Sequence, residues 1–384
     1  MRRVAISAVG AQMGGARRHL TGFVPALGEL APDWRFDFYV SAEGADWLGS
    51  AHIPANVDLI AVRQGGSGFW PRLWWDQVVL PRLMLRGVAE VLVSLLNFGP
   101  ISQSIPQVNF QRNPVYYCSH YLGRVKGRMK LEALLRRWLC WRTMAASVRV
   151  VTPTAAMQRM IRGHFPQLPP DRFSVLPHAV DPVKEGDRAA PRWLVERVGD
   201  VPRPWMLYPG HAAPHKGHDI LLEAIRRLSE ENLDFTLLLT IDERDWLPGV
   251  RRIVTDVARL GLSRHVRILG RVPQADMLAL YQLVDLVVFP SLCESFGFPL
   301  MEAMACGRPL VAAGTEVNRE VSNHGAEYYD PEDPSDAARV LKSVIHGDPR
   351  PDLQDRARLR FAEFDWGWQR YVQGLADICD TALS

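Results

Sequence analysis

Apolar and polar positions along this chain fall into two alternating regimes. Short apolar runs bounded by turn residues read as buried strands, and stretches with apolar residues three and four apart read as helices. In the first half the strand pattern falls at 3–9, 36–40, 57–62, 88–96, 115–118, 147–152 and 173–176, and Gly14-Gly15 opens a helix running through Leu27. Between the halves, 182–204 carries Pro182, Gly186, Pro191, Pro202 and Pro204 and breaks the rhythm, as a linker does. From Trp205 the alternation restarts, with strands at 205–209, 235–240, 265–269, 284–289 and 309–313 and helices at 218–231, 246–260, 274–283 and 299–306. Such alternation predicts parallel sheets covered by helices on both faces. The expected organisation is an α/β domain over 1–181, the linker over 182–204, a second α/β domain over 205–365, and a helical segment over 366–384 with Trp366, Trp368 and Tyr371. No fixed-period repeat of the solenoid kind is present.

Two strand-to-helix loops of the second half carry the chemistry. The apolar run ending at Pro290 leads into Glu294-Ser-Phe-Gly-Phe-Pro-Leu-Met-Glu302, where Pro299 suits a first helical turn. Glu294 then sits on the loop and Glu302 about two turns further on. Trp205-Met-Leu-Tyr-Pro-Gly210 reads as another buried strand, followed by His211-Ala-Ala-Pro-His-Lys216-Gly217 and an amphipathic helix with Ile220, Leu221, Ala224, Ile225 and Leu228 on one face. In open α/β sheets such loops lie where ligands bind. A helix start favours an anion, a lysine there can hold phosphate, and carboxylates beside an anion suit sugar hydroxyls. Taken singly, each feature also fits a solvated lysine or glutamate near a helix start. The two loops together are far more specific.

At these residues the chain resembles the retaining glycosyltransferases of family 4. Gly210-His211 to Lys216-Gly217 matches that family's Gly-Arg-x-x-x-x-Lys-Gly loop with histidine in place of arginine, and Glu294-Ser-Phe296-Gly297 to Glu302 matches its Glu-x-Phe-Gly-x-x-x-x-Glu segment. Leu269-Gly270-Arg271-Val272, Val284-Asp285, Pro290-Ser291 and Ala305-Cys-Gly307-Arg-Pro309 agree as well. The N-terminal half matches more loosely, through Gly14-Gly15-Ala-Arg17 and Val175-Leu-Pro-His-Ala-Val-Asp181.

The resemblance implies two doubly wound Rossmann-like domains facing across a cleft (the GT-B fold), with the C-terminal helix returning to the first domain. It implies sugar transfer from a nucleoside diphosphate donor with retention. A departing diphosphate gains negative charge, and stabilising it in a dry site is the main catalytic demand. Lys216, backbone N–H groups around Phe296-Gly297-Phe298, and Gly14-Gly15 are the groups expected to meet it. Glu302 is expected on the ribose hydroxyls, and Glu294 on the transferred sugar. His120 is expected at the end of the 115–118 strand, facing that cleft. His211 replaces a fork of donors with a pH-dependent one, and Gly270-Arg271 adds backbone near the base and a further cation. A 2-epimerase or hydrolase on the same architecture, and a catalytically silent binder, stay open as rivals.

Composition removes several classes. A net charge of +3 with no arginine-rich, aromatic-interleaved run gives no platform for nucleic acid. The five cysteines are scattered without any C-x-x-C, which suggests neither a disulfide framework nor a zinc site and fits a reducing cytoplasm. Irregular spacing of His211, His215 and His218 around Lys216 argues against a metal, D-x-D is absent, and no cofactor beyond the donor co-substrate is expected. The N-terminal apolar stretch is short and ends in Gly10, Gln12 and Gly14, as a first strand does. Acceptor clues are the aromatic run Phe69-Trp-Pro-Arg-Leu-Trp-Trp75 and the basic, aromatic stretch 123–142. The latter could lie on the inner face of the cell membrane or be a solvated helix face.

Overall fold

A computed structural model of the chain describes residues 2–11, 14–30, 32–49, 52–63, 68–180, 190–231, 233–346, 351–364 and 367–384. They form two compact units, one of Met1–Cys118, Lys126–Asp181 and Trp366–Ser384, the other of Ser119–Val125 and Pro182–Asp365.

Among the described residues the first unit holds seven strands: β1 Arg2–Ser7, β2 Trp34–Ser41, β3 Val57–Val62, β4 Val91–Ser94, β5 Gln107–Phe110, β6 Arg149–Thr152 and β7 Phe173–Val175. All pairings are parallel, in the order β3-β2-β1-β4-β5-β6-β7. Alternate residues feed opposite faces. Val4 and Ile6 join one core with Phe36, Phe38, Val91, Val93 and Phe110, while Ala5 and Leu92 join another with Tyr39, Trp75 and Leu80. Both faces are therefore covered, as parallel sheets require. The C-terminal helix Trp368–Leu383 belongs to this unit and buries Tyr371, Val372, Leu375 and Cys379 in the first of those cores. Each such side chain contributes about 1.5–3 kcal/mol of gross burial energy. Trp366 lies outside the described residues.

The second unit repeats the plan with β8 Trp205–Tyr208, β9 Thr236–Leu239, β10 Val266–Ile268, β11 Leu286–Phe289, β12 Leu310–Ala313 and β13 Glu327–Tyr329. The order is β10-β9-β8-β11-β12-β13, again all parallel. In both sheets the chain winds outward one way and then the other, so the switch points fall between β1 and β4 and between β8 and β11. The fold is two doubly wound, Rossmann-like α/β domains.

Three expectations need correction. No strand forms at 115–118: Pro114 lacks an N–H for a ladder, and Asn113 accepts from Val115 N at 3.2 Å, which makes Pro114–Tyr116 a 3₁₀ turn. The strand there is β5, whose Gln107 and Asn109 hide it from an apolar-run search. Within 182–204, Arg192–Val198 is a helix with Leu194 and Val198 buried, not open linker; 182–189 lie outside the described residues. His120 lies on the helix Ser119–Arg124, and that helix is part of the second unit although its neighbours in sequence belong to the first.

Candidate functional site

The loops after β8 and β11 leave neighbouring strands at the second switch point, and the sequence closes them on each other. Pro214 opens a 3₁₀ turn, Pro214–Lys216, and Gly217 follows at φ +66°. A Cβ on Gly217 would stand 2.1 Å from the carbonyl oxygen of Pro290, so only glycine lets the loops approach this closely. Leu292 N donates to His215 O at 2.9 Å and Tyr208 OH to Lys216 O at 2.8 Å. Gly297, at φ +84°, then turns the chain into the helix Phe298–Ala305, with Pro299 in its first turn.

This closure joins two residues 78 positions apart: Lys216 Nζ donates to Glu294 Oε1 at 2.5 Å, with both side chains 14% exposed. An ammonium carries three donors, and Glu294 takes one. Glu294 itself lies on the loop that leads into the helix Phe298–Ala305, and a helix start favours an anion. Glu302, on the helix, accepts from Tyr281 OH at 2.5 Å. Phe296 is buried against Phe298 and Phe364, so it can offer a ligand only its backbone.

Neighbouring loops are tied to the same edge. Gly210 N donates to Thr240 Oγ1 at 3.1 Å after β9, and Arg271 N to Asp242 Oδ2 at 3.0 Å after β10. Gly270, at φ +68°, precedes that contact. Asp242 is held well below the usual carboxylate range, first by the Arg244 side chain and then by backbone donors including Arg271. Asn318 donates to Ser291 O at 3.1 Å and to Ala313 O at 2.9 Å, linking the loops after β11 and β12.

The three histidines of the lysine loop differ in setting. His215 and His218 are buried, and burial chiefly lowers the pKa of both, His218 down to about 3. The His211 ring lies 5.9 Å from that of His215. Protein crowded around it, and then Lys216, lower its pKa, with Glu294 pulling the other way. That lowering disfavours a charged imidazole at this position. Among the described residues no group of three histidine, cysteine, aspartate or glutamate side chains could hold a metal ion.

Of the remaining expected residues, His120 is not beside Lys216 or Glu294 by any hydrogen bond; its Nδ1 lies 2.9 Å from Glu332 Oε1, after β13. Gly14 and Gly15 open the helix Gly14–Leu30 after β1, and their surroundings lie outside the described residues. Sequence reasoning missed four supporting side chains. Asp242 was findable as the N-cap of the helix Glu243–Arg259, where it accepts from Arg244 N at 2.9 Å. Tyr281 ends an apolar helix and gave no polar signal. Arg124 donates to Pro214 O at 3.1 Å and to Asp219 Oδ1 at 2.9 Å, and Tyr121 meets the His215 ring edge-on at 5.6 Å. Nothing local to 119–125 announces those contacts.

Comparison with known proteins bears on this site directly. Residues 197–360 match the model of the group 1 glycosyl transferases. A D-inositol 3-phosphate glycosyltransferase of Salinispora tropica is 31% identical over 231 residues, 56% of this chain and 47% of that protein. The Streptosporangium roseum protein of the same name is 33% identical over 190 residues, 47% of this chain and 42% of that one. The chain thus spans about half the length of the curated relatives it matches. Among solved structures, Anabaena Alr3699/HepE in complex with UDP and glucose aligns over 99% of this chain and 100% of that one, with a TM-score of 0.72 and 18% identity. A glycosyltransferase from Rickettsia africae aligns over 100% and 99%, with a TM-score of 0.70 and 15% identity. These likenesses show the GT-B fold.

Proposed function

We propose that this chain is a retaining glycosyltransferase of family 4, moving a sugar from a nucleoside diphosphate donor to an acceptor hydroxyl without a metal ion. The observation that carries the reading is the Lys216–Glu294 pair, set where β8 and β11 discharge their loops side by side. Nucleotide-sugar use is supported by the group 1 match over 197–360 and by the UDP and glucose held in the Anabaena protein. Lys216 and the N–H groups opening the Phe298–Ala305 helix take the charge that grows on the diphosphate as the glycosidic bond lengthens. Glu302, oriented by Tyr281, accepts from the ribose hydroxyls. Glu294 accepts from hydroxyls of the transferred sugar and steadies positive charge on its ring. The departing phosphate oxygen takes the acceptor's proton, so no protein nucleophile is needed and the carboxylate pair is not the acid and base of a glycosidase. The reading keeps the chain in the cytoplasm, with peripheral contact at the inner membrane face through residues 123–142.

A thermal-shift series with UDP-, GDP-, ADP- and dTDP-sugars identifies the donor, since a ligand that binds the folded state raises its apparent stability. With that donor, Glu294→Gln should depress turnover by about a hundredfold or more while leaving affinity for the donor's nucleoside diphosphate nearly intact; an unchanged rate removes Glu294 from the mechanism. Product with inverted anomeric configuration overturns retention. Turnover lost in chelator and restored by a divalent ion overturns metal independence. Epimerised donor would favour the isomerase reading, and absence of both transfer and donor hydrolysis the silent binder.

A further inference from the structure

At the carboxyl edge of the first sheet one guanidinium is held by neutral groups. Arg112 follows β5, and its backbone N donates to Asn97 Oδ1 at 3.0 Å, which fixes the loop beneath it. Its Nη2 donates to Tyr371 OH at 2.9 Å and lies 2.7 Å from His19 Nε2 and 3.5 Å from His178 Nδ1. Tyr371 comes from the C-terminal helix, His19 from the helix Gly14–Leu30 and His178 from the chain after β7. The Phe110 ring centroid stands 5.6 Å from the guanidinium carbon, and the Trp368 ring packs 5.2 Å from that of His19. Among the described residues no carboxylate pairs with Arg112.

Arginine has donors only, so His19 Nε2 accepts and the ring proton sits on Nδ1. That N–H is buried without a partner, on a residue 1% exposed. Arg112 Nε is a second buried donor left unpaired. Burial, and then the Arg112 charge, lowers the pKa of His19 and of His178, as rings beside an unmatched cation require. Donors gathered around an uncompensated cation are costly unless an anion reaches them. Tethering Tyr371 does not explain the charge, since a glutamine amide would supply that one hydrogen bond. Nη1 has no protein partner among the described residues and is not enclosed. Arg112 as a whole is half-buried, so an oxyanion can meet the guanidinium from outside. The carboxyl edge of a doubly wound sheet is also where ligands bind.

We infer that Arg112 holds an oxyanion, a phosphate or carboxylate group, at this edge of the first sheet, with Nη1 as its first donor and Tyr371, His19 and the Asn97 loop keeping the guanidinium in place. The amides of that loop bind nothing themselves; they fix the backbone that delivers the cation. The anion site follows from the unmet charge and stands apart from the transferase activity. Only its consequence, that the anion is a group carried by the acceptor, rests on the glycosyltransferase reading, in which Lys216 takes the donor's diphosphate.

Thermal unfolding of the full chain in sodium phosphate, against sodium chloride of equal ionic strength, tests it, with Lys216→Ala beside wild type to remove the second unit's cation. Phosphate should raise the midpoint of both chains beyond chloride, with saturation. Arg112→Gln, which keeps a donor for Tyr371, should weaken the phosphate Kd by at least about tenfold. Arg112→Lys, which keeps the charge without the fork, should bind phosphate less tightly than wild type and decides the matter should the glutamine variant fold poorly. Tyr371→Phe should lower the midpoint and leave the phosphate Kd unchanged, which a merely structural Arg112 would not allow. No phosphate-specific rise in Lys216→Ala, wild-type phosphate affinity in either Arg112 variant, or a Tyr371→Phe chain that loses the response as fully as Arg112→Gln would each overturn the site. If Arg112→Gln also abolishes stabilisation by the sugar nucleotide of the donor series, the anion is the donor's diphosphate and the acceptor assignment falls. If no sugar nucleotide stabilises wild-type chain while phosphate still acts through Arg112, the donor reading falls and the anion site stands.

Discussion

The two units share one strand order over six strands and one kind of switch point, yet they furnish it with opposite materials. After β4 of the first unit stands Asn97, buried and at φ +51°, with its amide fully engaged. Its Nδ2 donates to Gln111 Oε1 at 2.9 Å and its Oδ1 accepts from Asn113 N at 2.8 Å and Arg112 N at 3.0 Å. Tyr117 OH closes the network on Gln111 at 2.6 Å. After β8 and β11 of the second unit stand a cation and a carboxylate, partly open to solvent. Neutral amides that satisfy one another fix a loop and leave nothing for a ligand. A charged pair with spare donors at a helix start does the reverse. Equal topology therefore does not mean equal function, and binding chemistry has to be argued from the side chains at each switch point.

Substitutions at the two points should separate on different axes. Lys216→Ala has the largest expected effect: kcat should fall by about 10²–10³-fold, the usual worth of one preorganised charge on a developing anion. The thermal midpoint should move little, because a solvent-touched ion pair contributes about 1 kcal/mol or less to stability. A product assay that finds kcat within about threefold of wild type would break the comparison. Asn97→Ala should show the mirror image. Removing the hub strands several buried partners, at a cost of about 2–4 kcal/mol in urea unfolding, while any thermal stabilisation found in the sugar-nucleotide series stays unchanged.

Both sheets were legible wherever strands are buried on both faces. Leu286–Phe289 and Trp205–Tyr208 are unbroken apolar or aromatic runs because helices cover them on each side. β5 was misplaced because its Asn109 amide serves the Asn97 network and its Gln107 amide donates to Ser147 Oγ, and polar residues in a strand look like loop. β13, three residues of Glu327-Tyr-Tyr at the sheet edge, was missed because an edge strand that short carries too little pattern. The Lys216–Glu294 meeting could be anticipated, since loops on the same end of neighbouring strands converge. The Ser119–Arg124 excursion could not, since its ties to Pro214, Asp219 and Glu332 depend on tertiary path alone.

Acid should act on both units, which blunts the contrast in a predictable way. His19 and His178 in the first and His215 and His218 in the second are buried, and their pKa values are lowered chiefly by that burial. The unfolded chain takes up protons near pH 6.5 that the folded chain refuses. Stability is thus fully present above about pH 6.5 and is lost as pH falls toward the folded values, about 3 for His218. The slope should be about 1.4 kcal/mol per pH unit for each such histidine. Urea unfolding at pH 7, 6 and 5 measures the total. His218→Gln should remove one histidine's share; a slope unaltered by that change would mean His218 titrates normally.

The smallest effect is expected at Arg124, and it isolates how the charged switch point is held. Arg124 touches no group assigned to the reaction; it grips Pro214 O and Asp219 on either side of the turn that carries Lys216. The residue is partly exposed, so its ion pair should add well under about 1 kcal/mol to global stability. Its effect should instead be on loop order: without it, Lys216 samples more positions and meets the diphosphate less often in productive geometry. Arg124→Ala should therefore lower kcat/KM for the donor by about three- to tenfold, with kcat reduced and the unfolding midpoint nearly unchanged. Arg124→Lys, which keeps one donor but not the fork, should recover part of the loss. If Arg124→Ala lowers stability and activity together, and Arg124→Lys restores neither, then the helix Ser119–Arg124 is merely a packing element of the second unit, and Lys216 is positioned by Gly217 and Tyr208 without it.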